Sequence, residues 1–303
     1  MELNTLAELC KKNNIPYKPF EPMRFHTSFK IGGAADIFIT PETKEQLVSV
    51  LSCCKECGIP VFIIGNGSNL LVSDSGIDGA VISLSKMNTI SVNGCEITCL
   101  AGAVLSAVCR AALSSSLTGA EFAYGIPGTA GGALYMNAGA YGGEMAGIIK
   151  DADYVTKDGG SGTLSVKDMR LGYRTSVFKN SDMIITRLTL TLKKGDKAEI
   201  EEKMKELARK RREKQPLEYP SAGSTFKRPE GYFAGTLIEK NGLKGTAVGG
   251  AAVSEKHAGF IINTGSATCG DVTALIKQVQ QTVLKGDGVL LEPEVIQIGR
   301  SDS

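Results

Sequence analysis

A short glycine-rich segment is the first feature of the sequence that could bind a ligand. Gly65, Asn66, Gly67, Ser68 and Asn69 follow an apolar run, and Leu70 comes next. Two glycines let consecutive backbone N–H groups turn into one concavity, which suits an anion such as a pyrophosphate. The segment matches neither the GxGxxG pattern of a dinucleotide-binding fold nor the GxxxxGK[ST] phosphate loop. A simple tight turn is the alternative, and for this segment alone it is the favoured interpretation.

A second, longer glycine-rich segment runs from residue 125 to residue 143. It begins Gly125, Ile126, Pro127, Gly128, Thr129, Ala130, Gly131, Gly132. This density of small residues indicates that something large comes close to the backbone. Tight helix–sheet packing is the alternative, but such packing rarely needs so many glycines together with a Pro-Gly pair. The two segments together predict a pair of loops that hold an extended ligand with phosphates.

Three side chains outside these loops could take part in a reaction. Arg174 stands among aromatic and apolar residues and could pair with a carboxylate or an enolate, although a surface salt bridge is at least as good an interpretation. Ser224 follows small residues, but no histidine is near it and no GxSxG elbow surrounds it, which disfavours a hydrolase. Glu294 lies on an apolar terminal strand, where alternation predicts the same face for Glu292. A solvated edge strand is the alternative there.

A basic run at residues 209–214 ends a charged helix. Cations at this position complement the helix dipole, so a solvated helix end is one interpretation. Recognition of a diphosphate is the other, and the sequence favours neither.

Apolar periodicity predicts the elements that would position these residues. Helices are predicted at 3–13, 41–57, 105–113, 198–214 and 272–284, and strands at 36–39, 61–64, 90–92, 97–99, 183–192 and 289–298. Thr40 is the predicted N-cap of the second helix, Gly58 its stop, and Gly286 the stop of the last helix. The pair Asn93-Gly94 predicts a type I′ hairpin. The charged segment 193–197 is the predicted domain boundary.

Composition narrows the class of protein. The net charge of +2 argues against a nucleic-acid-binding protein. The chain opens without an apolar signal segment, so we expect a cytoplasmic protein whose cysteines are reduced. Pro127 and the glycines interrupt the longest uncharged stretch, which disfavours a membrane span. With only two histidines, the CxxC at Cys54 and Cys57 is a poor candidate for zinc, and no metal is expected.

Taken in order along the chain, these clusters resemble the UDP-N-acetylenolpyruvoylglucosamine reductase family. The matching segments are HTSFKIGGAAD at 26–36, GNGSNLL at 65–71, YGIPGTAGGALYMNAGAYGGE at 124–144, YRTSVFK at 173–179, AGSTFKRP at 222–229 and LEPEV at 291–295. A single segment would be a weak signal. The ordered set spans nearly the whole chain and is highly specific.

The resemblance implies an α+β fold with an FAD-binding domain of the vanillyl-alcohol-oxidase (PCMH) type. Its first α+β subdomain would take residues 1–60, joined by the terminal strand at 288–303, and its second would take residues 61–194. A C-terminal α+β domain, residues 195–287, would bind the UDP-sugar substrate.

The resemblance also implies roles for individual residues. Residues 65–70 and 125–132 would hold FAD, with Thr129 the one residue of these segments to which no contact is assigned. Arg174 would steady the substrate carboxylate and its enolate, Ser224 would donate a proton, and Glu294 would assist at the enolpyruvyl group. Substrate contacts are expected from a further set: Tyr135, Asn137, Lys227 and Arg228.

The chain departs from part of the family in two places. Position 228 carries arginine, where some members have asparagine. The segment between Phe178 and Pro216 is too short for the long tyrosine-bearing loop that closes over substrate in one subtype. The chain therefore resembles the subtype without that loop, and Arg211 and Gln215 are expected to replace its diphosphate contacts.

The implied reaction reduces UDP-N-acetylglucosamine enolpyruvate to UDP-N-acetylmuramate for peptidoglycan synthesis, with hydride passing from NADPH through non-covalent FAD. We expect a monomer with no nucleic-acid or membrane partner, and His26 without a covalent flavin. One alternative is a flavin oxidase of the same fold acting on another sugar or alcohol. The other is a flavin- or nucleotide-binding protein without turnover.

Overall fold

Seven α-helices form within residues 2–301, the part of the chain that the computed structural model describes. They are α1 (Glu2–Lys12), α2 (Lys44–Glu56), α3 (Leu105–Ser114), α4 (Ala130–Tyr135), α5 (Lys197–Lys214), α6 (Ala234–Lys240) and α7 (Cys269–Asp287). All five predicted helices are present. Within the same residues, none of the helices combines the length and apolar character needed to span a bilayer.

Two predicted helix ends are wrong by a few residues. Helix α2 begins after Thr43, whose hydroxyl accepts from Gln46 N at 3.2 Å, while the Gln46 side chain accepts from Glu42 N at 2.8 Å. Thr43 thus satisfies a free N–H group in the first turn, and it is the N-cap in place of Thr40. Helix α7 runs through Gly286 and ends at Gly288, which takes the left-handed conformation with φ of 70°.

The strands are short and mostly antiparallel. They are β1 (Tyr17–Pro22), β2 (Ala34–Ile39), β3 (Val61–Ile64), β4 (Leu70–Val72), β5 (Ile77–Ser83), β6 (Ile90–Asn93), β7 (Glu96–Leu100), β8 (Leu117–Thr118), β9 (Gly139–Ala140), β10 (Gly143–Glu144), β11 (Ile149–Thr156), β12 (Ser161–Ser165), β13 (Met183–Thr191), β14 (Lys193–Lys194), β15 (Ala247–Val248), β16 (Ala251–Val253), β17 (Ile261–Asn263) and β18 (Ile296–Ile298). The predicted hairpin is confirmed, with Asn93 opposite Glu96. Its two-residue loop is therefore Gly94-Cys95, one residue later than predicted. The predicted type I′ turn is wrong, because that turn needs a positive φ at both central residues and only Gly94, with a φ of 60°, has one.

Contacts divide the chain into two units. Unit 1 contains residues 2–19, 37–66 and 79–211, and unit 2 contains residues 20–36, 67–78 and 212–301. These boundaries do not coincide with those of the three predicted domains, which stay a prediction of functional division.

Unit 1 is built around two sheets. The four-stranded sheet, to which unit 1 contributes most residues, has the order β1-β2-β5-β3, and the five-stranded sheet has the order β12-β11-β13-β7-β6. A single cluster of buried apolar side chains fills the unit, with Leu6 from α1, Leu47 from α2, Ile97 from β7 and Leu188 from β13 among its members. Burial of this kind is the main driving force for folding of the unit.

Unit 2 packs helices on a small sheet. Strands β15-β16-β17 form an antiparallel sheet, and β18 pairs in parallel with β4. Many of the buried side chains come from α6 and α7, including Leu237, Ile238 and Leu275. The predicted terminal strand at 289–298 shortens to β18, because Pro293 cannot donate a ladder hydrogen bond. Its partner is residues 70–72 rather than a strand within 1–60.

An ion pair between β11 and β13 makes the stability of unit 1 sensitive to acid. Arg187 Nε lies 2.6 Å from Asp153 Oδ2, and its Nη2 lies 3.1 Å from Oδ1. The hydrogen bond from Arg187 holds the pKa of Asp153 below its usual value of 3.8. A lowered pKa means that the stabilisation is present above the unfolded-state pKa and disappears as the pH falls through the folded-state pKa.

We expect Asp153→Asn to lower the free energy of unfolding by about 1 kcal/mol at pH 7, since the pair is partly exposed. The difference from wild type should shrink as the pH falls below 3.8. Urea unfolding at several pH values measures it. Asp182→Asn is the control, because Asp182 lies 3.5 Å from Lys157 with both side chains exposed. An equal loss in the control, or a constant difference at every pH, would contradict the expectation.

Candidate active site

The two glycine-rich segments meet within unit 1. A Cβ placed on Gly65 would lie 2.5 Å from Thr129 Oγ1, so only glycine fits there without displacing the threonine. Thr129 is buried and caps α4, with its hydroxyl accepting from Gly132 N at 3.3 Å. No role for Thr129 was predicted from the sequence. Threonine is a preferred N-cap residue, and this signal could have identified Thr129 as the start of a helix.

In the longer segment, some glycines are packed against other residues and others are accessible to a ligand. Ala130 N and Gly131 N donate to Ala103 O and Ala101 O, both at 2.8 Å, so these N–H groups are already used. A Cβ on Gly131 would lie 2.7 Å from Ala101 Cβ, which is the tight packing considered as the alternative.

The open part of the segment lies on either side of these packed residues. Gly132 is exposed, and a Cβ there would meet only Thr129 Oγ1 at 3.4 Å. Gly125 and Ile126 are partly exposed and Pro127 is exposed, while Gly128 takes a φ of 135° that favours glycine. A ligand can therefore approach the backbone at Gly125–Pro127 and at Gly132.

The second half of the shorter segment, from Gly67 onward, belongs to unit 2 and contacts other residues of unit 2. Gly67 has a φ of 59°, and a Cβ on it would collide with the His26 carbonyl oxygen. Asn69 Nδ2 donates to Glu294 O at 3.1 Å, and Leu70 is buried at the start of β4. In unit 1, Asn66 is exposed. Asn69 and Leu70 therefore anchor the C-terminal segment.

Ser224 and Glu294 lie on neighbouring segments of unit 2. Glu294 N donates to Thr225 O at 2.8 Å, and Phe226 forms an antiparallel bridge with Pro293. Thr225 is itself fixed, since its N–H donates to Gly259 O at 2.8 Å and its hydroxyl accepts from Ile261 N at 3.0 Å. Two residues far apart in sequence are therefore brought together, with Ser224 exposed and Glu294 partly buried.

The neighbouring charged residues have partners on the surface. Lys227 Nζ lies 2.9 Å from Glu292 Oε2, and the Glu292 side chain is 68% exposed. This hydrogen bond lowers the pKa of Glu292. The Arg228 guanidinium stacks 4.0 Å from the centre of the Phe233 ring. Of the two glutamates at the C-terminal segment, Glu294 is thus the better candidate for chemistry.

Arg174 occupies the tip of a tight turn in unit 1. Gly172 and Thr175 exchange both backbone hydrogen bonds, at 3.1 and 3.2 Å, which leaves Tyr173 and Arg174 as the loop. Arg174 has a φ of 54°, a left-handed conformation that costs a non-glycine residue about 1–2 kcal/mol. Its guanidinium lies 5.1 Å from the centre of the Tyr173 ring. Strain of this kind is concentrated at functional sites.

The end of α4 lies against this turn. Ser176 Oγ donates to Tyr135 O at 2.7 Å, and Asn137 Nδ2 donates to Gly172 O at 3.0 Å. Asn137 is only 1% exposed, whereas Tyr135 is half-buried, and burial raises the pKa of its hydroxyl.

Arg211 and Gln215 lie near the end of α5, each with unusual burial. Arg211 packs its Cδ 3.0 Å from a Cβ position on Gly125, and burial lowers the pKa of its guanidinium. Gln215 Oε1 is buried and has no hydrogen-bond partner among the described residues. A buried acceptor without a partner is costly, which points to a group that would satisfy it.

All eight cysteines are free thiols. Burial raises the pKa of Cys54 to about 12 and that of Cys10 to about 11. Within the described residues, no group of three or more histidine, cysteine, aspartate or glutamate side chains could hold a metal ion.

Two family models match this chain and define its class. Residues 35–164 match the model of an FAD-binding domain, and residues 215–298 match the model of the C-terminal domain of UDP-N-acetylenolpyruvoylglucosamine reductase. The predicted fold class is confirmed: an α+β, vanillyl-alcohol-oxidase-type FAD-binding domain with a C-terminal α+β domain.

Relatives that match more than nine-tenths of the chain identify the family. The chain is 51% identical over 279 residues to the UDP-N-acetylenolpyruvoylglucosamine reductase of Clostridium perfringens strain SM101, covering 92% of each chain. With the enzyme of that name from Caldanaerobacter subterraneus subsp. tengcongensis it shares 48% identity over 297 residues, 98% of each chain. The crystal structure of UDP-N-acetylenolpyruvylglucosamine reductase from Thermus caldophilus superposes with a TM-score of 0.80 at 35% identity, covering 93% of this chain and 98% of that one. The chain belongs to the UDP-N-acetylenolpyruvoylglucosamine reductase family.

Proposed function

We propose that this protein reduces the enolpyruvyl group of UDP-N-acetylglucosamine enolpyruvate to give UDP-N-acetylmuramate, using NADPH and FAD, for peptidoglycan synthesis. The observation that carries the proposal is the pairing of Glu294 N with Thr225 O at 2.8 Å. This pairing sets the proton-donor candidate Ser224 beside the carboxyl candidate Glu294. Family membership supports the choice of substrate.

The residues of unit 1 fit FAD. Gly132 is open on its Cα side, the backbone at Gly125–Pro127 is accessible, and Gly65 has no room for a side chain. Bare backbone of this kind accommodates an extended ligand with phosphates. Six residues would contact FAD: Gly65, Asn66, Gly125, Ile126, Pro127 and Gly132. Seven others would shape the loops: Gly67, Ser68, Asn69, Leu70, Gly128, Ala130 and Gly131. Bound there, FAD would supply the hydride for the enolpyruvyl double bond, with NADPH as the proposed source.

Arg174 is the candidate for holding the carboxylate of the enolpyruvyl group. A guanidinium offers parallel N–H donors to a carboxylate, and it keeps its charge at every working pH. Hydride addition at the terminal carbon pushes electron density onto the carbon that bears the carboxylate. A fixed cation there stabilises the transition state by about 3–4 kcal/mol.

Ser224 would then protonate that carbon, and Glu294 would assist at the enolpyruvyl group. A serine hydroxyl is a weak acid, so it can serve only a strongly basic carbon and only when it is held in place. The anchored Thr225 backbone supplies that hold, because its N–H, carbonyl and hydroxyl are all hydrogen bonded.

The diphosphate of the substrate would be contacted by Arg211 and Gln215. The desolvated guanidinium of Arg211 supports the diphosphate contact, because a buried cation gains from a bound anion. The unpartnered Gln215 Oε1 supports a neighbouring ligand group that donates a hydrogen bond. A phosphate oxygen would accept from Nε2 of Gln215, and a ribose or sugar hydroxyl would donate to Oε1. Tyr135, Lys227 and Arg228 stay proposed substrate contacts.

We expect Gly65→Ala to weaken FAD binding about tenfold, equivalent to 1.4 kcal/mol. The added Cβ would lie 2.5 Å from Thr129 Oγ1 and push it off the α4 cap. Gly147→Ala is the control, because a Cβ there meets nothing within 4 Å. Flavin release followed by fluorescence gives the dissociation constants. Equal affinity in the two variants would mean that this close approach does not shape the FAD site.

Two anaerobic half-reactions test the function. The flavin-loaded protein is reduced with one equivalent of NADPH, and UDP-N-acetylglucosamine enolpyruvate is then added while the flavin absorption is followed. We expect rapid reoxidation with UDP-N-acetylmuramate as the product. If NADPH bleaches the flavin and the enolpyruvate does not restore it, the substrate assignment is wrong while the cofactor assignment stands.

A further inference from the structure

A buried asparagine joins the end of α4 to the turn that carries Arg174. Asn137 follows the C-cap of α4 in the left-handed conformation, with a φ of 41°. Its N–H donates to Leu134 O at 3.0 Å, and the next N–H, of Ala138, donates to Ala133 O at 2.8 Å. This is the hydrogen-bond pattern of a Schellman motif, in which glycine is the usual residue at this position. Asparagine also occurs at this position, so the contacts of its side chain decide whether Asn137 does more than end the helix.

The side chain of Asn137 makes two contacts that the helix end does not require. Its Nδ2 donates to Gly172 O at 3.0 Å, and its Oδ1 accepts from Ala146 N at 2.9 Å. With both ends of the amide engaged and only 1% of the residue exposed, little surface is left for the substrate contact predicted from the sequence.

The contact falls on the base of the Arg174 turn. Gly172 O accepts from Thr175 N at 3.2 Å as well as from Asn137, so both of its lone pairs are used. The orientation of that peptide group fixes where the two-residue loop begins. Ser176, directly after the turn, holds Tyr135 O from the other side. The left-handed conformation of Arg174 persists only if its surroundings enforce it.

We propose that Asn137 is a positioning residue for Arg174: it holds the base of the turn so that the guanidinium keeps its direction toward the substrate carboxylate. The inference rests on the proposed function, because it takes Arg174 as the group that binds that carboxylate. A displacement of about 1 Å at such a group can lower a rate about 100-fold. Helix α4 is about 9 Å long. It connects the Thr129 cap at its start with the Arg174 turn at its end.

The test compares Asn137→Gly with a matched control. Glycine keeps the left-handed helix end and removes only the amide. Asn14 provides the control, because it ends α1 in the same way, with a φ of 52° and the hydrogen bonds Asn14 N to Lys11 O and Ile15 N to Cys10 O. The side chain of Asn14 is exposed, so Asn14→Gly should change nothing.

For Asn137→Gly we expect normal FAD content and normal reduction by NADPH. Reoxidation by the enolpyruvate should be 10- to 100-fold slower, and the dissociation constant of the enolpyruvate for the oxidised protein, measured by calorimetry, should rise. In an Arg174→Ala background, the same substitution should change reoxidation less than about twofold, because the group it positions is gone. Should the glycine variant fail to fold, Asn137→Asp keeps the acceptor for Ala146 N and removes the donor to Gly172.

An undiminished effect of Asn137→Gly in the Arg174→Ala background would overturn the inference, and so would an equal slowing of reduction by NADPH. Both would indicate general damage to unit 1. If the wild-type protein itself is not reoxidised by the enolpyruvate, the proposed function fails, and the inference fails with it.

Discussion

Ser224→Ala should leave reduction of the bound flavin by NADPH unchanged and slow its reoxidation by the enolpyruvate roughly 10²- to 10⁴-fold, the usual contribution of a positioned proton donor. The expectation follows from the division of the reaction. Hydride transfer from NADPH needs no proton donor at the sugar, whereas product formation needs a proton at the carbon next to the carboxylate. Stopped-flow absorption measures the two half-reactions separately.

Ser221→Ala is the control for this substitution. Ser221 lies in the same segment, and the contact it makes with Ser28 uses its backbone carbonyl, which the substitution retains. The backbone of Thr225 is anchored independently, so neither variant should disturb the pairing with Glu294. Reoxidation of the Ser224 variant at the rate of the control would mean that another group, or water, delivers the proton.

Residue types predicted where ligands could approach, but they did not predict what each glycine faces. The sequence shows that a side chain is absent at Gly65, Gly67 and Gly131. The structure gives three different reasons: Thr129 Oγ1, the His26 carbonyl and Ala101 Cβ. Such close approaches join parts of the chain that are distant in sequence, so no local pattern encodes them. A glycine cluster therefore predicts close packing and leaves its partner open.

The C-terminal segment shows a second limit of local reasoning. Alternation predicted one face for Glu292 and Glu294, as in a regular strand. Pro293 interrupts that strand, and the segment instead pairs through single hydrogen bonds with Thr225 and Lys227. Glu292 consequently meets Lys227 at the surface, 2.9 Å away, while Glu294 is partly buried. Only the family resemblance favoured Glu294 over Glu292 at the level of the sequence, because periodicity alone offered no way to choose between them.

Substitutions of Arg174 should change activity and stability separately. We expect both Arg174→Gly and Arg174→Ala to slow reoxidation by the enolpyruvate about 10²- to 10³-fold, the loss expected when one preorganised charge-stabilising donor is removed. The two variants should differ in stability. At a φ of 54°, glycine avoids the strain that alanine suffers, so the glycine variant should be more stable than the alanine variant by about 1 kcal/mol.

Arg170 makes this expectation testable within the same part of the chain. It too is left-handed, with a φ of 48°, and it is exposed. Arg170→Gly and Arg170→Ala should therefore show the same stability difference in urea unfolding while reoxidation stays at the wild-type rate. If the Arg170 pair shows the difference and the Arg174 pair does not, the turn is not strained as its backbone indicates. If Arg174→Gly keeps the wild-type rate, the strain at this position serves something other than binding the substrate carboxylate.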